Sequence, residues 1–217
     1  MDRWGWIGGA ARIAFVVLTL AGGFVQGDVP VYSEGPTVIK DWFAANSDRY
    51  LVGSYLIVLG ALSFIAFLAV LVTILVRADD AHGPWPWLVL AAGVLVVVPP
   101  LVSTGFDPRL ALLEGDVSDE LARSLSAGDY MTFLLLYPFA GAMALAASLA
   151  IARSGVLWRP LAWFGPLIAL GGLVSMAAPL EHDAEGALTW VGYLTLFAFL
   201  AWVAGVAASM IRAERRP

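Results

Sequence analysis

The chain has 217 residues, of which 60% are hydrophobic and 13% charged, and its mean hydropathy is +0.83. A soluble domain carries about a quarter of its residues charged, so this balance points to lipid as the main solvent. The absence of cysteine excludes disulfides, thiolate zinc sites and a thiol nucleophile, and a net charge of −5 argues against nucleic acid, which needs a basic footprint.

Charges fall in clusters, and apolar runs fill the gaps between them. A spanning helix needs ~20 predominantly apolar residues. Six segments qualify, predicting an all-α polytopic membrane protein whose residues 1–217 form a single six-helix transmembrane domain. The first span runs from about Trp6 to Gln26 and contains Arg12, whose long side chain snorkels to the near interface. Arg3 and Arg12 ahead of an apolar stretch also fit a secretory signal. No Ala-x-Ala site follows, however, and Trp4 and Trp6 read as interfacial anchors, so the segment is expected to be retained.

A long loop, Gly27–Tyr50, separates the first span from the second. After Pro30 and Pro36 it holds a helix-like stretch, Thr37 to Ala45, in which Val38, Ile39, Trp42 and Phe43 recur at near-helical spacing. That pattern predicts an amphipathic helix resting on the membrane surface. The second span is Leu51–Val76 and the third Trp85–Phe106. A second long loop, Asp107–Asp129, offers Ser118 as an N-cap, with Asp119 and Glu120 in the first turn of a short helix carrying Leu121 and Leu125. The fourth span is Tyr130–Ala152, with Asp129 as its cap; the fifth is Leu161–Leu180 and the sixth Leu188–Ile211.

Orientation follows from the basic residues. Arg3, Arg12, Arg77, Arg153, Arg159, Arg212, Arg215 and Arg216 share one side, and only Lys40, Arg49, Arg109 and Arg123 lie on the other. The arginine-rich side is expected to be cytoplasmic, with both termini inside. The opposite face carries most of the acids. Arginine in place of lysine, with abundant Ala, Gly and Val, fits a GC-rich bacterial genome and hence a bacterial cytoplasmic (inner) membrane.

Small residues mark helix packing: Ala140, Ala144, Ser148 and Ala152 on the fourth span, Ala201, Gly205 and Ser209 on the sixth, Gly5 and Gly9 on the first. Such stripes let backbones approach where lipid gives no hydrophobic drive between helices. They serve either a partner or, more simply, packing within the chain. Pro99, Pro100 and Pro138 are expected to kink their spans. Trp85, Trp87 and Trp158 join Trp4 and Trp6 in an inner aromatic belt, with Trp163 and Trp202 near it; Trp42 and Trp190 mark the outer one. An aromatic pocket for a pigment or lipid is the alternative reading of these tryptophans.

No acid or base falls in the middle of spans two to six, where proton relays and ion-coupled carriers put them. Lys40, the single lysine, is in an outer loop, which excludes a retinal Schiff base within the bundle. His82 and His182 lie on opposite sides, which excludes bis-histidine haem. One compact constellation remains. Glu181, His182, Asp183 and Glu185 form an acidic turn whose nitrogen and oxygen donors suit a divalent metal, Zn²⁺, Mn²⁺ or Ca²⁺. Asp28, Glu34, Asp107 and Asp129 lie on the same side. His182 as base with Ser103 or Thr104 as nucleophile would make an outer-face hydrolase. A solvated turn, negative because the basic residues are needed inside, is the plainer reading.

Ala11-Arg12-Ile13-Ala14, and the linker from Arg153 through Trp158-Arg159-Pro160-Leu161-Ala162-Trp163 to Gly165, resemble a family of small six-span bacterial membrane proteins of uncharacterised function. Relative to that family's linker, Trp158 and Pro160 have exchanged places. The resemblance implies six spans and nothing catalytic. Two non-enzymatic functions fit best: an accessory or scaffolding subunit of a membrane complex, or a binder of a neutral or lipophilic small molecule. The expected partners are the lipid bilayer and other membrane subunits.

Overall fold

In the computed structural model the described residues are 3–78 and 83–214, with side chains described for 13–78 and 83–210. The expectations for His82, Arg215 and Arg216 therefore lie outside the described residues, and those for Arg3, Arg12, Arg212, the Trp4 and Trp6 anchors and the Gly5–Gly9 pair lie outside the described side chains.

All regular structure among the described residues is helical: α1 (Arg3–Gln26), α2 (Pro36–Ala78), α3 (Trp85–Ser103), α4 (Asp107–Leu112), α5 (Asp119–Leu134), α6 (Leu136–Ser154), α7 (Leu161–Ser175) and α8 (Ala187–Glu214). Single 3-10 turns stand at Tyr32–Glu34 and Ala178–Glu181. Five stretches are long and apolar enough to cross a membrane, and α1 adds an apolar Ile13–Gln26. The protein is thus an all-helical chain with five to six apolar helices compatible with a bilayer. α7 alone is short, 15 residues or about 22 Å at 1.5 Å per residue, and the turn at Ala178–Glu181 lengthens it toward the ~30 Å a bilayer needs.

The main core joins Phe64, Phe67, Leu68 and Leu71 of α2 to Met143, Ala144 and Ile151 of α6 and Phe199, Trp202 and Val203 of α8. Residues on the opposite faces, such as Leu167, Leu170 and Leu173 of α7, are exposed, as lipid-facing residues would be. Aromatic rings fill this core rather than line a pocket: Phe64 packs on Phe67 at 5.6 Å and Phe199 on Trp202 at 6.2 Å between centroids. Trp202 is not part of a belt. It is buried, and its Nε1–H donates to the Leu161 carbonyl at 3.0 Å. Trp87, Trp158, Trp163 and Trp190 are exposed, as belt residues are.

Part of the small-residue stripes packs within the chain, while Ala152 of α6 and Ala201 of α8 are exposed. Ala140, Ala144 and Ser148 are buried against α7. There a Cβ added to Gly141 would stand 2.8 Å from Ala169 Cα, and one on Gly172 2.8 Å from the Tyr137 carbonyl carbon. Helices α1 and α2 approach as closely, since a Cβ added to Gly22 or to Gly53 would stand 2.7 Å from the other's carbonyl oxygen. Ser209 accepts from the Trp158 amide at 2.7 Å and so ties the α6–α7 linker to α8.

The two long loops fold together into a cap with its own core. Ser118 caps α5 as expected, its hydroxyl accepting from the Leu121 amide. The amphipathic stretch 36–45 does not lie on lipid. It continues into the following apolar helix across a kink at Asn46 (φ −128°, ψ 15°), and it buries Ile39 and Phe43 against Leu110 and Ala111 of α4 and Ala122 and Leu125 of α5. An apolar face gains more from close-packed protein than from the wet headgroup layer. Lys40 pairs with Asp119 at 3.0 Å across the two loops, an exposed contact contributing ~1 kcal/mol or less. The cap is therefore held by its core. Phe43→Ala should cost about 3–5 kcal/mol locally, read as protease cleavage within 107–129 while the apolar helices stay protected.

Asp129 does not begin a helix. It sits inside α5, which runs on into α6 with one break at Leu135. Pro138 accounts for the break, because its missing N–H leaves the Leu134 carbonyl without its helical partner. Pro99 and Pro100 stay within α3, in its last turns.

Candidate functional site

Residues of α1, α2, α3, α4 and α5 converge on a small cavity of about 60 Å³. Gln26 closes α1; Tyr50 and Ser54 stand one turn apart on α2; Ser103 ends α3; Asp129 and Phe133 stand one turn apart on α5. Gln26 donates from Nε2 to Ser54 Oγ at 3.0 Å. The Ser103 hydroxyl donates to Asp129 Oδ1. Gly128 permits the arrangement, since a Cβ there would stand 2.7 Å from the Phe106 ring. With Phe106 laid on α5, the next residue, Asp107, is carried toward Asp129.

Asp107 is only 4% exposed, and its Oδ1 has no hydrogen-bond partner. No lysine or arginine among the described residues forms an ion pair with Asp107 or Asp129. Both carboxyls flank the sequence-predicted spans, which end at Phe106 and resume at Tyr130. Along the helix, Asp129 stands roughly 36 Å from Arg153 at 1.5 Å per residue, beyond the ~30 Å hydrocarbon core. Burial pushes Asp107 well above the usual carboxylate range, and the charge of Asp129 adds to that. Burial likewise pushes Asp129 up to about 6, against the opposing hydrogen bond from Ser103. The Tyr50 phenol is also raised, by burial first and then by the two aspartates, with a hydrogen bond to Ser54 acting the other way. Desolvation disfavours each ionised form, and a like charge nearby deepens the effect.

In the acidic turn, read from the sequence as a solvated turn or a metal site, the side chains make local hydrogen bonds. Glu181 Oε2 accepts from the Leu188 amide at 2.9 Å and caps the start of α8. Asp183 Oδ1 accepts from the Glu185 amide at 2.9 Å. His182 has φ 55°, and its Nδ1 lies 3.1 Å from the Leu180 carbonyl. All four side chains are exposed. Among the described residues no group of three or more His, Asp or Glu side chains converges as metal ligands do. Nor does His182 meet a nucleophile: Ser103 bonds Asp129, and the Thr104 hydroxyl donates to the Leu101 carbonyl at 2.6 Å.

Asp107 and Asp129 were readable only as outer-loop acids as long as the 107–129 segment was taken for a loop. Helical register would have separated Asp129 from the rest. Ala122, Leu125, Ser126, Asp129 and Phe133 recur at three- and four-residue steps, and the first three are buried. Comparison of the chain with known protein families, with curated proteins and with solved structures finds no match.

Proposed function

We propose that the chain is a six-span protein of a bacterial cytoplasmic membrane, both termini inside, that works by binding a small hydrophilic ligand at its outer end. The observation that carries this reading is the small cavity lined by Gln26, Tyr50, Ser54, Ser103 and Asp129, near which the buried Asp107 keeps an unpartnered Oδ1. Proteins keep uncompensated buried carboxyls where function requires them, because the stability cost is several kcal/mol. A role as scaffolding subunit has less to support it, since Ala144 and Ser148 of the α6 stripe pack against Gly165 of α7. At this cavity a lipophilic ligand is disfavoured: about 60 Å³ admits a few waters, whereas drug-sized ligands take about 300–1,000 Å³. A His-assisted hydrolase has less to support it, since His182 Nδ1 lies at the Leu180 carbonyl while Ser103 bonds Asp129 and Thr104 bonds the Leu101 carbonyl.

The natural chain lacks cysteine, which makes single-cysteine mapping clean. In intact cells Ser54→Cys and Thr104→Cys should react with a membrane-impermeant thiol reagent added outside, and a reporter fused to the C-terminus should read cytoplasm. Labelling only after the membrane is breached, or a C-terminal reporter reading exterior, overturns the orientation and the outward site together.

A further inference from the structure

We propose that the cleft at the end of α1 binds the zwitterionic headgroup of a membrane phospholipid, with the lipid's phosphodiester on Arg49 and its ammonium on Asp28. The cleft is open, holds about 710 Å³ and is lined by Gly23, Phe24, Val25, Gly27, Asp28 and Arg49. It is distinct from the small cavity lined by Ser103 and Asp129, and the assignment does not depend on a ligand there. Its level is that of lipid headgroups. The apolar stretch of α1 closes at Gln26, and Arg49 stands just before Leu51, where the uninterrupted apolar run of α2 begins.

The guanidinium is built into place. Gly27 follows α1 with φ 70°, and the Arg49 guanidinium occupies the space that a Cβ on Gly27 would need. Glycine alone meets both demands. Arg49 Nε donates to the Val25 carbonyl in the last turn of α1, which leaves the N–H groups on Nη1 and Nη2 for a ligand. Asp28 lines the same cleft, yet the two residues form no ion pair. Opposite charges that share a cleft without meeting suit a ligand that carries both. A phosphodiester matches a held guanidinium fork, and a primary ammonium matches the carboxylate. A purely anionic headgroup would set its charge against Asp28. The apolar surroundings favour a lipid over a free zwitterion. Phe24, at the cleft, is 89% exposed, and Leu20, Val17 and Ile13 continue that exposed face along α1 at helical spacing. Acyl chains lie along such a face, whereas a soluble headgroup gains nothing from it.

The test uses the full chain, delipidated in mild detergent, and counts retained lipid by native mass spectrometry. The probes are phosphatidylethanolamine, phosphatidylglycerol with the same acyl chains, and glycerophosphoethanolamine, which keeps the zwitterion and lacks the chains. The natural chain should hold a single phosphatidylethanolamine, with phosphatidylglycerol about tenfold weaker or more. Arg49→Gln should weaken phosphatidylethanolamine about tenfold or more. Asp28→Asn should abolish the preference, so that the two lipids bind alike. Arg123→Gln, at an exposed position of α5 outside the cleft, should change nothing. Asp28→Asn leaves the bond from Arg49 to Val25 in place, so it carries the test alone if Arg49→Gln does not fold. Equal retention of the two phospholipids by the natural chain overturns the assignment, and so does a preference that survives Asp28→Asn. Glycerophosphoethanolamine bound as tightly as the phospholipid overturns the lipid, because the cleft would then hold a free zwitterion.

Discussion

Gly165→Leu should prevent the chain from reaching a folded state, and the protein should elute from a sizing column in mild detergent as aggregate rather than as a single species. Gly165 of α7 faces the Ala144 carbonyl and the Ser148 side chain of α6. Two backbones meet there, and backbone cannot rotate aside as the end of a long side chain can. Along the same seam a Cβ added to Gly141 or Gly172 would stand 2.8 Å from Ala169 or Tyr137 backbone, so the pair has no slack to redistribute. Overpacking of a close-packed interior costs about 1–3 kcal/mol where side chains can adjust, and more where a helix must move away. Ala144→Leu, on the fully buried partner face, should fail in the same way. Ala201→Leu gains the same volume at an exposed position of α8 and should remain monodisperse. If Gly165→Leu and Ala201→Leu elute alike, the α6–α7 seam does not organise the fold.

The second large effect is on the dependence of stability on pH. In chelator-treated protein, stability should fall as pH rises from about 4 to about 6 and should not recover above that. The sign follows from the proton count. Unfolded, an aspartate releases its proton near 3.9; folded, burial holds the Asp129 proton to about 6. Between those values the native state binds the extra proton, so the native state is favoured at the acid end and loses that advantage as the folded group ionises. A two-unit difference is worth on the order of 2–3 kcal/mol, reduced because Asp129 is partly open to water. Asp107 adds to the same trend, with its folded-state pKa raised further by burial and by the Asp129 charge. The variant carrying Asp107→Asn and Asp129→Asn should therefore have a flatter profile and a higher unfolding temperature at pH 8 than the natural chain. An unchanged profile in that variant would mean that the two carboxyls are solvated and that the cavity is not the enclosed site described above.

The helices were legible because lipid imposes one rule on every residue of a span. With no water to satisfy the backbone, the chain must be helical, and the side chains facing the acyl layer must be apolar over about 20 residues. Leu51–Val76 and Leu188–Ile211 follow that rule without interruption, and both lie within long apolar helices. The Ser118 cap was legible for a similarly local reason, since the hydroxyl and the amide it serves lie within four residues.

What the sequence could not fix is where a face made locally finds its partner. The apolar stripe of residues 36–45 reads the same whether it meets lipid or Leu110 and Leu125, and only the tertiary arrangement decided for protein. The α6 stripe is likewise neutral between a second chain and α7 until Gly165 is seen against it. The site suffered most. Asp107 and Asp129 stand 22 residues apart in sequence, in a segment whose polarity suggested a wet loop. Their burial comes from three distant events: the break at Pro138 that extends α5 upward, Gly128 admitting Phe106, and the cap core closing over both. Charge pattern along the chain records none of these. Desolvation is a property of the packed assembly, and packing buried Asp107 and half-buried Asp129, two acids that read as loop residues.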